Sequence, residues 1–146
     1  PMADNTLQFR WIQTLQGNVD LLFRDRPDVF VAGDHLIYPV QGDPTVRQAP
    51  DVYVAFGRPK GDRGSYKVWD EGGVFPQVVF EVLSPNNTPA EMDRKRAWYD
   101  RYGADEYYEY DPDGNALRAW VRAAGRLAEV ADPNGFVSPR LGIRFD

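Results

Sequence analysis

At 146 residues the chain is long enough for one domain that buries about two-thirds of the surface its unfolded form exposes. A hydrophobic share of 42% and an aromatic share of 14% exclude a disordered chain, and the absence of cysteine excludes disulfides and thiolate zinc sites, so a reducing cytoplasm is the expected setting. A formal charge of −5 argues against a general nucleic-acid coat, which draws on Lys and Arg, yet leaves room for a nuclease, whose catalytic carboxylates add negative charge.

Taken in chain order, Leu7, Trp11, Leu15, Val19 and Leu22 recur at helical spacing and predict an amphipathic helix that tolerates Gly17. "DVFVAGDHLIYPV" reads as one or two strands broken near Gly33–Asp34, and "APDVYVAFG" as a short strand closed by Gly57. A polar, glycine-rich loop follows, in which Arg58, Lys60, Arg63 and Lys67 face the single Asp62; it reads as a basic cluster or as a solvated loop. "QVVFEVLS" is a strand, "DEYYEYDPDG" a strand ending in a turn at Asp111–Gly114, and "ALRAWVRA" with "RLAEVA" a hairpin across Ala124–Gly125. "LGIRF" is expected to close the sheet. The order predicts an α/β chain with a mixed sheet flanked by helices. No repeat, low-complexity tract or linker interrupts it, no apolar run approaches the roughly 20 residues of a membrane helix, and no signal peptide is read at the start. Pro1 and Met2 are set aside as a remnant of expression.

The helix predicted over Pro89–Tyr102 carries the first anomaly. Thr88 is a natural N-cap, Pro89 suits the first helical position, Glu91 completes a capping box and Gly103 is a stop signal. At about 100° per residue, Met92, Tyr99 and Tyr102 share one narrow sector flanked by Trp98, and Lys95 sits in its middle. Its ammonium must either snorkel past Tyr102 to water or meet a buried anion.

The preceding strand supplies an anion. Alternation puts Val79, Glu81 and Leu83 on one face and Val78, Phe80 and Val82 on the other, so both faces are apolar and the strand is a central one. A carboxylate in such a place is paired or bound to metal. A helix following a strand packs back on it, which brings Lys95 within reach of Glu81. A second acid, Asp51, stands after Pro50 at the mouth of an otherwise apolar strand. Two carboxylates from neighbouring strand ends, with a backbone carbonyl such as that of Val82, form a hard-oxygen site suited to Mg²⁺ or Mn²⁺. With a lysine to orient or deprotonate a water, these parts suffice for metal-assisted phosphodiester hydrolysis.

These residues resemble the PD-(D/E)xK nuclease superfamily: Pro50–Asp51 matches its first half, and Glu81-Val82-Leu83 stands where it has an acid, any residue and a lysine. Leucine in the last position departs from that pattern. However, "FEVLSP…EMDRK…Y…G…EYYEYDP" looks like the Uma-type family of bacterial proteins described as restriction endonucleases, in which the lysine stands on the next helix, at the position matching Lys95. The family's acid four residues earlier matches Glu91 and its tyrosine four residues later matches Tyr99. The resemblance covers residues 50 to 112 closely and the N-terminal part loosely. It implies a restriction-endonuclease-like core, metal-dependent endonuclease chemistry on DNA and, by analogy, a homodimer.

Each candidate has a plainer reading. Glu81 and Lys95 are a buried ion pair if they are not catalytic; Asp51 after Pro50 is an ordinary strand-start residue; Glu91 is a cap and Tyr99 a core residue before either is a site residue. Ser84 ends the strand, with its hydroxyl a candidate near the metal. Arg63, Ser65 and Tyr66 are candidates for holding phosphate. His35, the single histidine, rules out schemes built on several histidines and reads as a strand-edge residue. A catalytically silent nuclease fold and a hydrolase of small phosphodiesters are the alternatives to a DNA endonuclease.

Overall fold

Val78–Val82 forms a strand in which every residue is buried, with Glu81 only 3% exposed. Burial on both faces requires a sheet continuing to either side and a layer above and below it. The computed structural model describes residues 2–146, with side chains from residue 6 onward; Pro1 lies outside the described residues. Its eight strands are β1 (Val29–Gly33), β2 (Ile37–Tyr38), β3 (Val52–Phe56), β4 (Tyr66–Lys67), β5 (Val78–Val82), β6 (Glu106–Asp111), β7 (Ala116–Ala123) and β8 (Arg126–Glu129), with helices α1 (Met2–Leu22) and α2 (Pro89–Tyr102). One sheet holds six of these strands in the order β1-β3-β5-β6-β7-β8. Only β5 and β6 run parallel, because α2 carries the chain back between them; the other neighbours are antiparallel. β2 and β4 form a separate parallel pair.

The two faces hold separate cores. On one, Tyr53, Val79, Tyr99, Tyr107 and Trp120 pack beneath α2 with Ile37 and Tyr66 of the small pair. On the other, Val29, Val52, Val54, Val78 and Phe80 pack against Val19 and Phe23, the last turn of α1 and the residue after it. α2 has the predicted bounds: Thr88 Oγ1 accepts from Glu91 N at 3.1 Å, the Glu91 carboxylate reaches back to Thr88 N, and Gly103 closes the helix at φ 114°. The strand break near Gly33–Asp34 and the hairpin across Ala124–Gly125 are also present.

Three details differ from the sequence reading. Along α1 the stripe shifts by one residue: Ile12, Leu15, Val19 and Phe23 face the sheet, while Leu22 is 46% exposed and Trp11 lies at the rim against Tyr110, 4.9 Å between ring centres. "LGIRF" does not join the sheet. Its segment closes on itself, Ser138 N donating to Ile143 O and Phe145 N to Phe136 O, so its backbone is spent locally and it offers the sheet only Leu141, Ile143 and Phe145 as cover. Inside the polar loop, β4 forms because Tyr66 is fully buried and donates to Val74 O. Among the described residues no helix is long and apolar enough to cross a membrane.

Candidate active site

The pairing of β3 with β5 stops at Val52 opposite Phe80. Beyond that point the backbone groups of the two strand ends lack ladder partners, and side chains satisfy them. Asp51 N donates to Glu81 Oε1 at 3.1 Å, and Val82 N donates to Asp51 Oδ2 at 2.7 Å. Each acid thus accepts a hydrogen bond from the other's strand, which brings together two carboxylates that lie 30 residues apart in the chain.

Glu81 points to the α2 face, as alternation requires, and meets one stripe of that helix. Tyr99, fully buried, donates from its hydroxyl to Glu81 Oε2 at 3.1 Å. One turn earlier the Lys95 ammonium lies 3.9 Å from Glu81 Oε2 and 3.9 Å from Glu91 Oε2, with 28% of the side chain exposed. Lys95 is therefore turned inward rather than out to bulk water. At that separation it holds both acids by charge, not by hydrogen bonds, and its N–H groups stay available to a third partner. Glu91 serves twice, accepting in the capping box and at 3.3 Å from Asn87 Nδ2 while facing Lys95.

The electrostatics fit a place prepared for a cation. Burial raises the Glu81 carboxyl well above the usual range and the Asp51 charge raises it further, against the pull of Lys95. Asp51 is raised chiefly by burial, opposed by the Val82 N–H, Glu81 and Lys95, and raised slightly again by Asp34. The charge of Asp51 suppresses the ionisation of Glu81, and a positive ion beside the two acids relieves it. Among the described residues no three His, Cys, Asp or Glu side chains form a metal-holding group. The donors brought together are the carboxylates of Asp51 and Glu81, and a cation such as Mg²⁺, which retains water, takes one or two carboxylates.

The remaining candidates are engaged elsewhere. Ser84 turns to Asn87: its N–H donates to Asn87 Oδ1 at 2.8 Å and its hydroxyl donates to the same oxygen at 3.4 Å, so it closes the turn into α2. Arg63 is tied to Glu71 at 2.9 Å, donates to Gly61 O and Pro59 O, and covers the Phe30 ring at 3.8 Å. Tyr66 is inside the core. Both side chains already have partners within the fold, and Ser65 lies half-buried beside them. Arg58 also pairs with Glu71 and Lys60 donates to Val29 O, so most of the apparent basic cluster is spent within the fold. His35 lies between the Tyr53 hydroxyl and Arg63 O, at 2.6 and 2.8 Å.

Two features at the site escaped the sequence reading. Asp34, at φ 47°, donates from its N–H to Asp51 O and adds charge beside that acid. Gln8 of α1 donates from Nε2 to Val82 O at 2.8 Å. The only signal for Gln8 was a polar residue four before Ile12 on the buried stripe. Glu106 and Glu109, buried acids within β6, carry the same signal as Glu81.

A mixed sheet with α2 crossing between its parallel strands and two acids at adjoining strand ends defines a restriction-endonuclease-like α/β fold. The Uma2 family, described as "Putative restriction endonuclease", matches residues 4–144, and the chain belongs to that family. A crystal structure of "a putative nuclease belonging to DUF820" from Anabaena variabilis ATCC 29413 superposes with a TM-score of 0.62 at 14% identity, covering 90% of this chain and 71% of that one. At that identity the likeness concerns the fold. Among curated proteins no match was found.

Proposed function

We propose that this protein is a Mg²⁺- or Mn²⁺-dependent endonuclease that hydrolyses DNA phosphodiester bonds. The reading rests on one observation: Asp51 and Glu81 meet at the ends of β3 and β5 with the Lys95 ammonium 3.9 Å from Glu81. Membership of a family described as restriction endonucleases supports it. Asp51, Glu81 and the carbonyl of Val82 would hold the ion, which when bound supplies positive charge to the scissile phosphate and acidity to water. Lys95 hydrogen-bonds the attacking water and keeps it in line. Tyr99 fixes the orientation of Glu81, and Glu91 holds the Lys95 ammonium by charge from the other side. Because these residues act as a unit, removing either Glu81 or Lys95 is expected to abolish cleavage.

The test is cleavage of plasmid DNA by the purified chain with Mn²⁺, alongside Glu81→Gln and Lys95→Ala. Nicking by the parent and none by either variant is expected; nicking that persists in both would exclude this mechanism. One observation favours a second reading, hydrolysis of a small phosphodiester: Arg58, Lys60 and Arg63, three of the four cations of the loop, are paired within the fold. Turnover of bis(p-nitrophenyl) phosphate with intact plasmid would favour it. A chain that neither cleaves nor takes up Mn²⁺ is the silent nuclease fold.

A further inference from the structure

We propose that Gln8 is a positioning residue of the active site, and that α1 belongs to the catalytic unit through it; the inference rests on the metal-dependent reading above. In an extended strand the N–H and C=O of one residue face the same side. The Val82 N–H faces Asp51, so the Val82 carbonyl opens into the same gap between the ends of β3 and β5. That oxygen is the third hard donor available to an ion held by Asp51 and Glu81. Its hydrogen bond comes from Gln8, 74 residues away in the chain, at 2.8 Å.

Position 8 lies on the face of α1 that presents Ile12, Leu15 and Val19 to the sheet. Packing alone asks for an apolar side chain there. An amide answers a different need: it donates to a carbonyl that has lost its ladder partner, and it adds no charge beside two acids that already repel each other. The carbonyl has two lone pairs. Gln8 takes one and restrains the peptide, which leaves the other for an ion between the strand ends. Groups that hold a ligating oxygen in place from behind contribute to metal affinity without touching the metal.

Calorimetric titration of Mn²⁺ into the full chain and into Q8L, Q8N and D51N, each checked for folding by thermal melting, tests this. Q8L keeps the bulk and removes the donor; Q8N keeps the amide but withdraws it by one methylene. Both are expected to bind Mn²⁺ roughly 10–100-fold more weakly than the parent, through the loss of an outer hydrogen bond. If Q8L does not fold, Q8N decides alone. Parent-like affinity in the folded variants, with D51N losing binding, overturns the role of Gln8 and leaves the nuclease reading standing. A lowered melting temperature with unchanged affinity also overturns it, since Gln8 would then be only a tether. A parent that takes up no Mn²⁺ overturns both.

Discussion

Asp51 and Glu81 clasp each other through backbone amides: the Asp51 N–H binds the Glu81 carboxylate at 3.1 Å, and the N–H after Glu81 binds the Asp51 carboxylate at 2.7 Å. The arrangement brings two acids together where the sheet divides, and Asp51 raises the cost of ionising Glu81. A buried, self-repelling pair is poor for stability and suited to holding a cation, a trade expected at functional sites.

The pH dependence follows from Glu81. Its folded carboxyl is raised from the ordinary 4.5 to about 8 by burial and by Asp51. Below 4.5 the group is protonated in both states and costs nothing. Between 4.5 and about 8 the folded state binds more protons than the unfolded one, so this group's contribution to stability falls as pH rises. Scanning calorimetry without metal should show the parent losing melting temperature against Glu81→Gln across that window. Added Mn²⁺ should recover it most at the alkaline end, where the carboxylates are free to bind the ion. Parallel curves for parent and variant would contradict the assignment.

Lys95 is expected to affect turnover more than metal binding. Lys95→Ala should lower kcat by roughly 10²-fold or more, the scale of a positioned proton-handling group. Mn²⁺ affinity should stay level or tighten, because a positive neighbour of Glu81 has gone. Lys95→Arg retains the charge but not the compact ammonium and should remain impaired. Calorimetry and single-turnover cleavage on the same preparations separate the two effects.

Glu91 performs two tasks that a single substitution can divide. Glu91→Gln keeps an oxygen for the capping box and removes the charge facing Lys95, so melting should be nearly unchanged while cleavage falls. Thr88→Ala does the reverse, costing about 1 kcal/mol of stability through the lost cap with cleavage intact. Equal cleavage by parent and Glu91→Gln would leave Glu91 a cap alone.

Arg63 should prove structural. Its guanidinium covers Phe30 and is bound to Glu71, whose side chain is 8% exposed. Arg63→Ala leaves that acid to Arg58 and is expected to lower stability by about 2 kcal/mol, measured by denaturant melts, with kcat unchanged where the chain is folded.

The local grammar of the chain was legible without coordinates. Thr88, Pro89, Glu91 and Gly103 set the limits of α2 by satisfying or terminating its own backbone, and the alternation in Val78–Val82 told which side Glu81 must face. Both signals lie within a few residues, and so does the anomaly of Lys95 on an apolar stripe. "LGIRF" has the composition of a strand, and nothing nearby reveals that its backbone is already paired with residues 136–138. The basic look of residues 58–67 was misleading for the same reason, since Glu71 and the Phe30 ring that occupy Arg58 and Arg63 are supplied by other segments.

The sequence by itself determined the helix, the central strand and the two charges that do not belong in them, because capping and side-chain alternation are short-range physics. Only the tertiary structure decided which distant groups meet there. Gln8 reaches Val82 and Asp51 reaches Glu81 because β3 and β5 part company one residue too early for their backbones to pair. Where a ladder ends, unsatisfied N–H and C=O groups must find side chains, and which ones they find depends on packing that no local pattern encodes.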